Sequence, residues 1–184
     1  WIGLVGSEMC IRDRCSVMSE SVLGVPFDIH GGGNDLKFPH HDNEIAQTCG
    51  FHNSSDPTCF AKYWVHNGFL NLADEKMSKS LGNVVYIDDL LKEFKGNEIR
   101  LALLSTHYRQ PIPWSLNLLK QAASVARKIS RFTSSHTTKS KFFPGSNIGK
   151  AILDDLNTPK ALAIMQSVIT NPKKFDIDQE ISTF

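Results

Sequence analysis

The sequence predicts an α/β arrangement followed by an α-helical region, and three observations carry that prediction. A short apolar run, Val25 to Ile29, leads into His30-Gly31-Gly32-Gly33 and then to a helix start at Pro39. A second strand-like run spans Tyr63 to His66. Apolar residues then recur at Leu118, Ala122, Val125, Ile129 and Phe132, spacings of 4, 3, 4 and 3 that lie on one face of a helix.

Taken in order, Trp1 to Arg14 shows no clear period and matches nothing that follows in style. Val25-Pro26-Phe27-Asp28-Ile29 reads as a short buried strand, and the three glycines after His30 let the backbone turn sharply or approach a ligand closely. Pro39 suits a first helical position, with His40, His41, Asp42 and Glu44 in the first turns and Gly50 near the end. Residues 52–58 are a loop by composition. After the second strand, Lys76-Met77-Ser78-Lys79-Ser80-Leu81-Gly82-Asn83 is polar, basic and closed by Gly-Asn, and reads as a mobile loop. Asp88 to Phe94 and Asn97 to Tyr108 look helical. Pro111 and Pro113 break the chain, and the long helix starts at Ser115. Thr133 to Ser146 is the best linker, and Ile152 to Ile169 forms one more helix interrupted near Asn157-Thr158-Pro159.

Composition bounds the function. The 184 residues are 41% hydrophobic and 21% charged, which places the chain among globular proteins rather than disordered ones. With 20 basic and 19 acidic residues the formal net charge is +1, so contact with nucleic acid or a membrane has to come from a local patch. No apolar run approaches the roughly 20 residues needed to span a bilayer. Glu8 and Asp13 among the early residues make a poor signal peptide. Cytoplasmic localisation is the expectation. There, Cys10, Cys15, Cys49 and Cys59 serve as ligands, catalysts or fillers rather than bridges, and with no CxxC pair an ordinary zinc ribbon is excluded.

Three constellations can carry chemistry. His40 and Glu44 are four apart, which on a helix puts both on one face, suited to two ligands of one zinc ion with Cys15 as a third. An arbitrary HxxxE is more often a surface pair, and His41 competes with His40 for the role. His30-Gly31-Gly32-Gly33 followed by Asp35 can set backbone N–H groups and a carboxylate beside a nucleotide, although a glycine triplet is more often a turn. The third is the Lys76 to Ser80 string, whose two lysines and two hydroxyls can grip a triphosphate and meet charge developing on a leaving pyrophosphate.

That string, KMSKS, resembles the signature loop of class I aminoacyl-tRNA synthetases. FDIHGGGNDLKFPHHDNEIAQ, YWVHNGFL, EKMSKSLGN and IRLALLSTHYR, in that order, are similar to cysteinyl-tRNA synthetases specifically. The likeness runs from Cys15 to about Phe132 and resumes at Asp154 to Pro159, DDLNTP. It implies the second half of a Rossmann-like nucleotide-binding domain over residues 15–108, with a helical, tRNA-contacting region over 109–184. The implied activity is cysteine–tRNA ligation: cysteine is activated with ATP to cysteinyl-adenylate, then transferred to the 3′ end of tRNA(Cys).

The resemblance also assigns residues. Cys15, His40 and Glu44 match three of the family's four zinc ligands, and His40 rather than His41 is the matching histidine. His30 matches a histidine beside the amino-acid pocket, Gly33 and Asp35 lie by the ATP ribose, and His66 lies by the adenine. Lys79 acts on ATP with Lys76 assisting. Zinc, ATP and Mg2+ are the implied cofactors and co-substrate, and the parent protein is expected to be a monomer with no membrane partner. Arg127, Lys128 and Arg131 on the long helix, with Lys139 and Lys141, can meet tRNA phosphates, although a solvated helix face is the more frequent meaning of such charges.

Two departures stand out. No HxGH string occurs in the 184 residues, and Ile11 to Arg14 replaces the family's Trp-His-Ile-Glu before the cysteine that matches Cys15, a departure that marks residues 1–14, Trp1 to Arg14, as a segment foreign to the native chain. The sequence therefore predicts an inactive fragment of the parent enzyme, with apolar faces short of partners and poor solubility. Two alternatives stay open: a cysteine:amino-sugar ligase of mycothiol synthesis, and a non-catalytic zinc- or RNA-binding module.

Overall fold

The computed structural model describes residues 7–72, 75–76, 84–136 and 142–183, with the backbone alone for 7–13 and 75–76. The chain divides into two compact units after Gly68.

In the first unit, helix α1 (Ser7–Leu23) precedes strand β1 (Phe27–Gly33), helix α2 (Asp42–Phe51) and strand β2 (Ala61–Asn67). β1 and β2 pair in parallel, with Phe27 opposite Ala61, His30 opposite Trp64 and Gly32 opposite His66. A parallel pair needs a crossover, and α2 supplies it. Phe27, Phe60 and Ala61 form the buried core, with Val25, Ile45 and Trp64 packed against it. Phe27 and Phe60 meet edge to face at 5.0 Å between centroids, a favoured aromatic geometry.

Here the sequence expectations need two corrections. The strand does not stop before the glycines; it runs through them, because Gly31 to Gly33 keep the ladder register with Val65 to Asn67. The turn comes afterwards, where the Leu36 N–H donates to the Gly33 carbonyl at 2.9 Å. Pro39 stands in a turn over Lys37–His41 in which Phe38 is extended, so the regular helix starts at Asp42. Val17, Met18, Val22, Ile29, Phe51 and Tyr63 are exposed.

In the second unit, strand β3 (Leu70–Leu72) pairs antiparallel with β4 (Glu75–Lys76) and parallel with β5 (Ile112–Trp114). Between them lie helices α3 (Ile87–Leu90) and α4 (Gly96–Leu104). Pro111 precedes a strand and Pro113 is its middle residue, opposite Asn71, so the prolines do not simply break the chain, and Leu70 to Leu72 face Ile112 to Trp114 in register. That pairing ties residues after 108 to residues before it.

Helix α5 (Leu116–Ser134) is capped by Ser115, whose Oγ accepts from the Leu118 N–H at 3.1 Å. Its apolar face serves two clusters. Ala122 and Leu119 join Ile99, Ala102 and Trp114, and Ile129 joins Ile148, Met165 and Ile181. Helices α6 (Asn147–Leu153) and α7 (Thr158–Thr170) replace the single interrupted helix, with Asn157 capping α7 and Pro159 in its first turn. Helix α8 (Ile177–Thr183) follows. Its Glu180 is buried and accepts from the Asn147 and Ile148 N–H groups at 2.9 Å, closing the start of α6. No helix among the described residues is long and apolar enough to cross a membrane.

The link between α6 and α7 carries an acid-sensitive anchor. Asp155, at φ 51°, accepts from Arg109 Nε at 2.7 Å, from Arg109 Nη2 at 2.9 Å and from the Tyr108 hydroxyl at 2.8 Å. Arg109 first, then Tyr108, lowers the Asp155 carboxyl from 3.8 to about 2. A carboxylate held below its unfolded value stabilises the folded state above that value and loses the contribution as pH falls through the folded one. Acid unfolding of this unit should therefore gain a component between pH 3.8 and about 2. Asp155→Asn tolerates the left-handed backbone and should remove that component in a pH series of denaturant titrations.

Candidate metal centre

Four elements of the first unit converge on Glu44. This residue is fully buried, one turn into α2. His40, four residues earlier, brings Nε2 to 3.1 Å from Glu44 Oε1. From β1, His30 brings Nε2 to 3.0 Å from Oε2. From α1 comes Cys15, and α1 is held against α2 by Ser16 Oγ donating to Gln47 Oε1 at 2.8 Å and by His52 beside Glu20 at 2.8 Å. The ligand atoms of Cys15, His40 and Glu44 all lie within 4.8 Å of one another, as do those of His30, His41 and Glu44.

The contacts to Glu44 are close but out of line. Neither of its oxygens has a hydrogen-bond partner, despite the two imidazole nitrogens nearby. Buried carboxylate oxygens without aligned donors are costly and rare. The donor set is thiol, imidazole and carboxylate, which is zinc chemistry. The residues present therefore fit a zinc ion on three sides. Burial first, then the charge of Glu44, raises the Cys15 thiol above its ordinary value.

A histidine–aromatic layer supports this cluster. His41 is 3% exposed, and its Nδ1 lies 2.8 Å from His66 Nε2. Its ring lies 4.8 Å from His30 and 5.0 Å from Trp64, centroid to centroid. Burial, then the neighbouring histidines, pushes His41 down to about 4, so it is neutral near pH 7. Gly32 lies directly beneath, and a Cβ there would stand 2.8 Å from His41 Cε1. Sequence reasoning set His41 aside as the weaker candidate and missed this layer. The available signal was strand alternation: His30 and Gly32 share one face of β1, and Trp64 and His66 share one face of β2.

Cys15, His30, His40 and Glu44 thus come together, with His66 joined through His41. Gly33 ends β1 opposite Asn67, and Asp35 lies in the turn that follows, at the carboxyl ends of both parallel strands. Lys76 pairs by backbone with Asn71. Lys79, Lys139 and Lys141 lie outside the described residues. Arg127, Lys128 and Arg131 are exposed on α5, and Arg127 Nη1 is 3.7 Å from Glu98 Oε1.

Residues 12–124 match the family model for the tRNA synthetases class I (C) catalytic domain. The chain belongs to this family. Among curated members of the synthetase family, it is 47% identical over 157 residues to the cysteine–tRNA ligase of Phenylobacterium zucineum (strain HLK1), covering 83% of this chain and 33% of that protein. It is 46% identical over 172 residues to that of Wolbachia pipientis wMel (91% and 37%) and 48% identical over 157 residues to that of Rhodospirillum rubrum (82% and 32%). The chain thus spans about a third of the length of these relatives. Its fold is similar to that in the ternary complex of Agrobacterium radiobacter K84 agnB2 LeuRS with tRNA and LeuAMS, at a TM-score of 0.60 and 18% identity, covering 85% of this chain and 24% of that one.

Proposed function

We propose that the chain is part of a cysteine–tRNA ligase, contributing the second half of its Rossmann-like nucleotide-binding domain and a helical region that contacts tRNA. The reaction would activate cysteine with ATP and transfer it to the 3′ end of tRNA(Cys). The observation that carries the reading is the convergence of a thiol, an imidazole and a buried carboxylate at Cys15, His40 and Glu44. Identities of 43–48% to proteins named cysteine–tRNA ligase support it.

Cys15, His40 and Glu44 would hold zinc. A bound zinc ion supplies a soft contact that prefers a thiolate over a hydroxyl, the difference between cysteine and serine that hydrogen bonding separates poorly. His30 borders the same carboxylate and would orient the substrate end of the site. Neutral His41 would hold His66 and the strand ends in place. Gly33 and Asp35, at the carboxyl ends of parallel strands, stand where open α/β sheets bind nucleotides, which supports their assignment to the ATP ribose and that of His66 to the base. Lys79, assisted by Lys76, would offset charge as pyrophosphate leaves, stabilising the transition state more than bound ATP. Mg2+ would accompany ATP. Arg127, Lys128 and Arg131 would meet tRNA phosphates.

The test is cysteine-dependent exchange of pyrophosphate into ATP. The chain would be assayed alone and together with the preceding segment of the Phenylobacterium zucineum relative. Exchange is expected only in the mixture and only with cysteine. Exchange driven equally by serine, or none in a mixture that binds zinc and ATP, would overturn the assignment.

A further inference from the structure

Cys49 and Cys59 form a second thiol site, separate from the cluster around Glu44. Cys49 lies near the end of α2, and Cys59 ends a short turn, Pro57–Cys59, just before β2. Their sulfurs are 2.9 Å apart, and both residues are partly buried rather than sealed. A disulfide bond is about 2.05 Å long, so closure needs only a small approach.

The intervening loop is already organised. The Ser54 N–H donates to the Cys49 carbonyl at 2.9 Å, and the Cys59 N–H donates to the Asp56 carbonyl at 3.0 Å. The Asp56 carboxylate accepts from the Thr58 N–H at 2.9 Å and from its hydroxyl at 2.7 Å. These bonds hold the two thiols face to face without a covalent link.

We propose that Cys49 and Cys59 are a dithiol modification site that closes reversibly into an intramolecular disulfide by exchange with a small disulfide such as oxidised glutathione. In the first step the Cys49 thiolate attacks one glutathione sulfur, the glutathione disulfide breaks, and one glutathione thiolate leaves and takes up a proton. In the second, Cys59 loses its proton, attacks Cys49 sulfur in the mixed disulfide and expels the second glutathione. The protein loses two electrons and two protons, and one glutathione disulfide becomes two thiols. Burial, then the neighbouring Cys49 thiol, raises the Cys59 thiol above its ordinary value, and the exchange balances equally with the roles of the two sulfurs interchanged. The closed form would fasten the end of α2 to the residue preceding Phe60, which is fully buried beneath His30.

Trypsin leaves both cysteines, and no others, on one peptide, Phe38 to Lys62. The whole chain would be incubated with oxidised glutathione, alkylated, digested and weighed. The expected product is that peptide two hydrogens lighter and unalkylated, reverting on reduction. Cys59→Ser should stop at the mixed disulfide and retain glutathione on Cys49 at least about tenfold longer than the parent chain. Cys49→Ser leaves one thiol of the pair and should form no intramolecular bond. The proposal is overturned if the parent peptide carries two separate glutathiones, if it keeps one as long as the Cys59→Ser variant does, or if both thiols stay alkylatable throughout. The parent peptide decides the matter even if a variant folds poorly.

Discussion

Glu44→Gln should lower zinc affinity at the proposed site and spare the zinc-free fold. Loss of even an outer partner of a metal ligand lowers affinity by roughly 10–100-fold, so loss of a ligand should lower it by at least about 100-fold. Chelator competition followed by zinc quantification reads this directly. The sign of the stability change is the sharper test. Glu44 is fully buried, yet neither oxygen has an aligned donor. If the carboxylate is kept there for a metal, it costs the zinc-free chain stability, because buried charge without hydrogen bonds is unfavourable. Glutamine at that position should then raise hydrogen-exchange protection of the β1–β2 ladder, by up to about 1 kcal/mol. If Glu44 is instead an ion-pair partner that holds His30 and His40 in the fold, the same substitution should cost about 3–5 kcal/mol. The two readings predict opposite signs from one variant.

The sequence made some of this legible and hid the rest, for physical reasons. Helix geometry places His40 and Glu44 one turn apart, and that spacing survives even though the chain before Asp42 is a turn with an extended Phe38. Cys15 is far away in sequence. Its approach depends on α1 packing against α2 through Ser16, Gln47, Glu20 and His52, a tertiary fact that no local pattern encodes. The face of α5 was readable because its period persists over four turns. β5 was not, because three residues with a proline in the middle have no period to read; only pairing with Leu70 to Leu72 makes them a strand. The glycine triplet is the instructive case. Glycine signals freedom of the backbone, and a turn is its commonest use. Here the strand continues in register, and what Gly32 provides is empty space above it.

That space yields the second large effect. Gly32→Ala would put a Cβ 2.8 Å from His41 Cε1, 3.0 Å from its Nε2 and 3.1 Å from Leu36 Cδ1. A flexible surface side chain would yield at little cost. The His41 ring is held by His66 at 2.8 Å and packed between His30 and Trp64. Overpacking a site of this kind costs about 1–3 kcal/mol, and protection of the β1–β2 ladder should fall by that amount. His41 adjoins His40, so its displacement should also weaken zinc by roughly 10–100-fold, the range for a disturbed outer partner. Gly31→Ala is the internal control: its Cβ would meet only the Val65 carbonyl, at 3.5 Å, which is ordinary contact. It should be neutral or slightly stabilising, since alanine gives up less backbone freedom on folding than glycine. Equal losses at the two positions would mean that strand propensity rather than room for His41 governs the triplet. A double variant separates the remaining possibility. If the clash is with the ring, Gly32→Ala should cost less once His41 is alanine, and the coupling should be at least about 0.5 kcal/mol, as for residues in direct contact. If the coupling is nil, the Cβ is being refused by Leu36, and His41 is held in place by its aromatic neighbours alone.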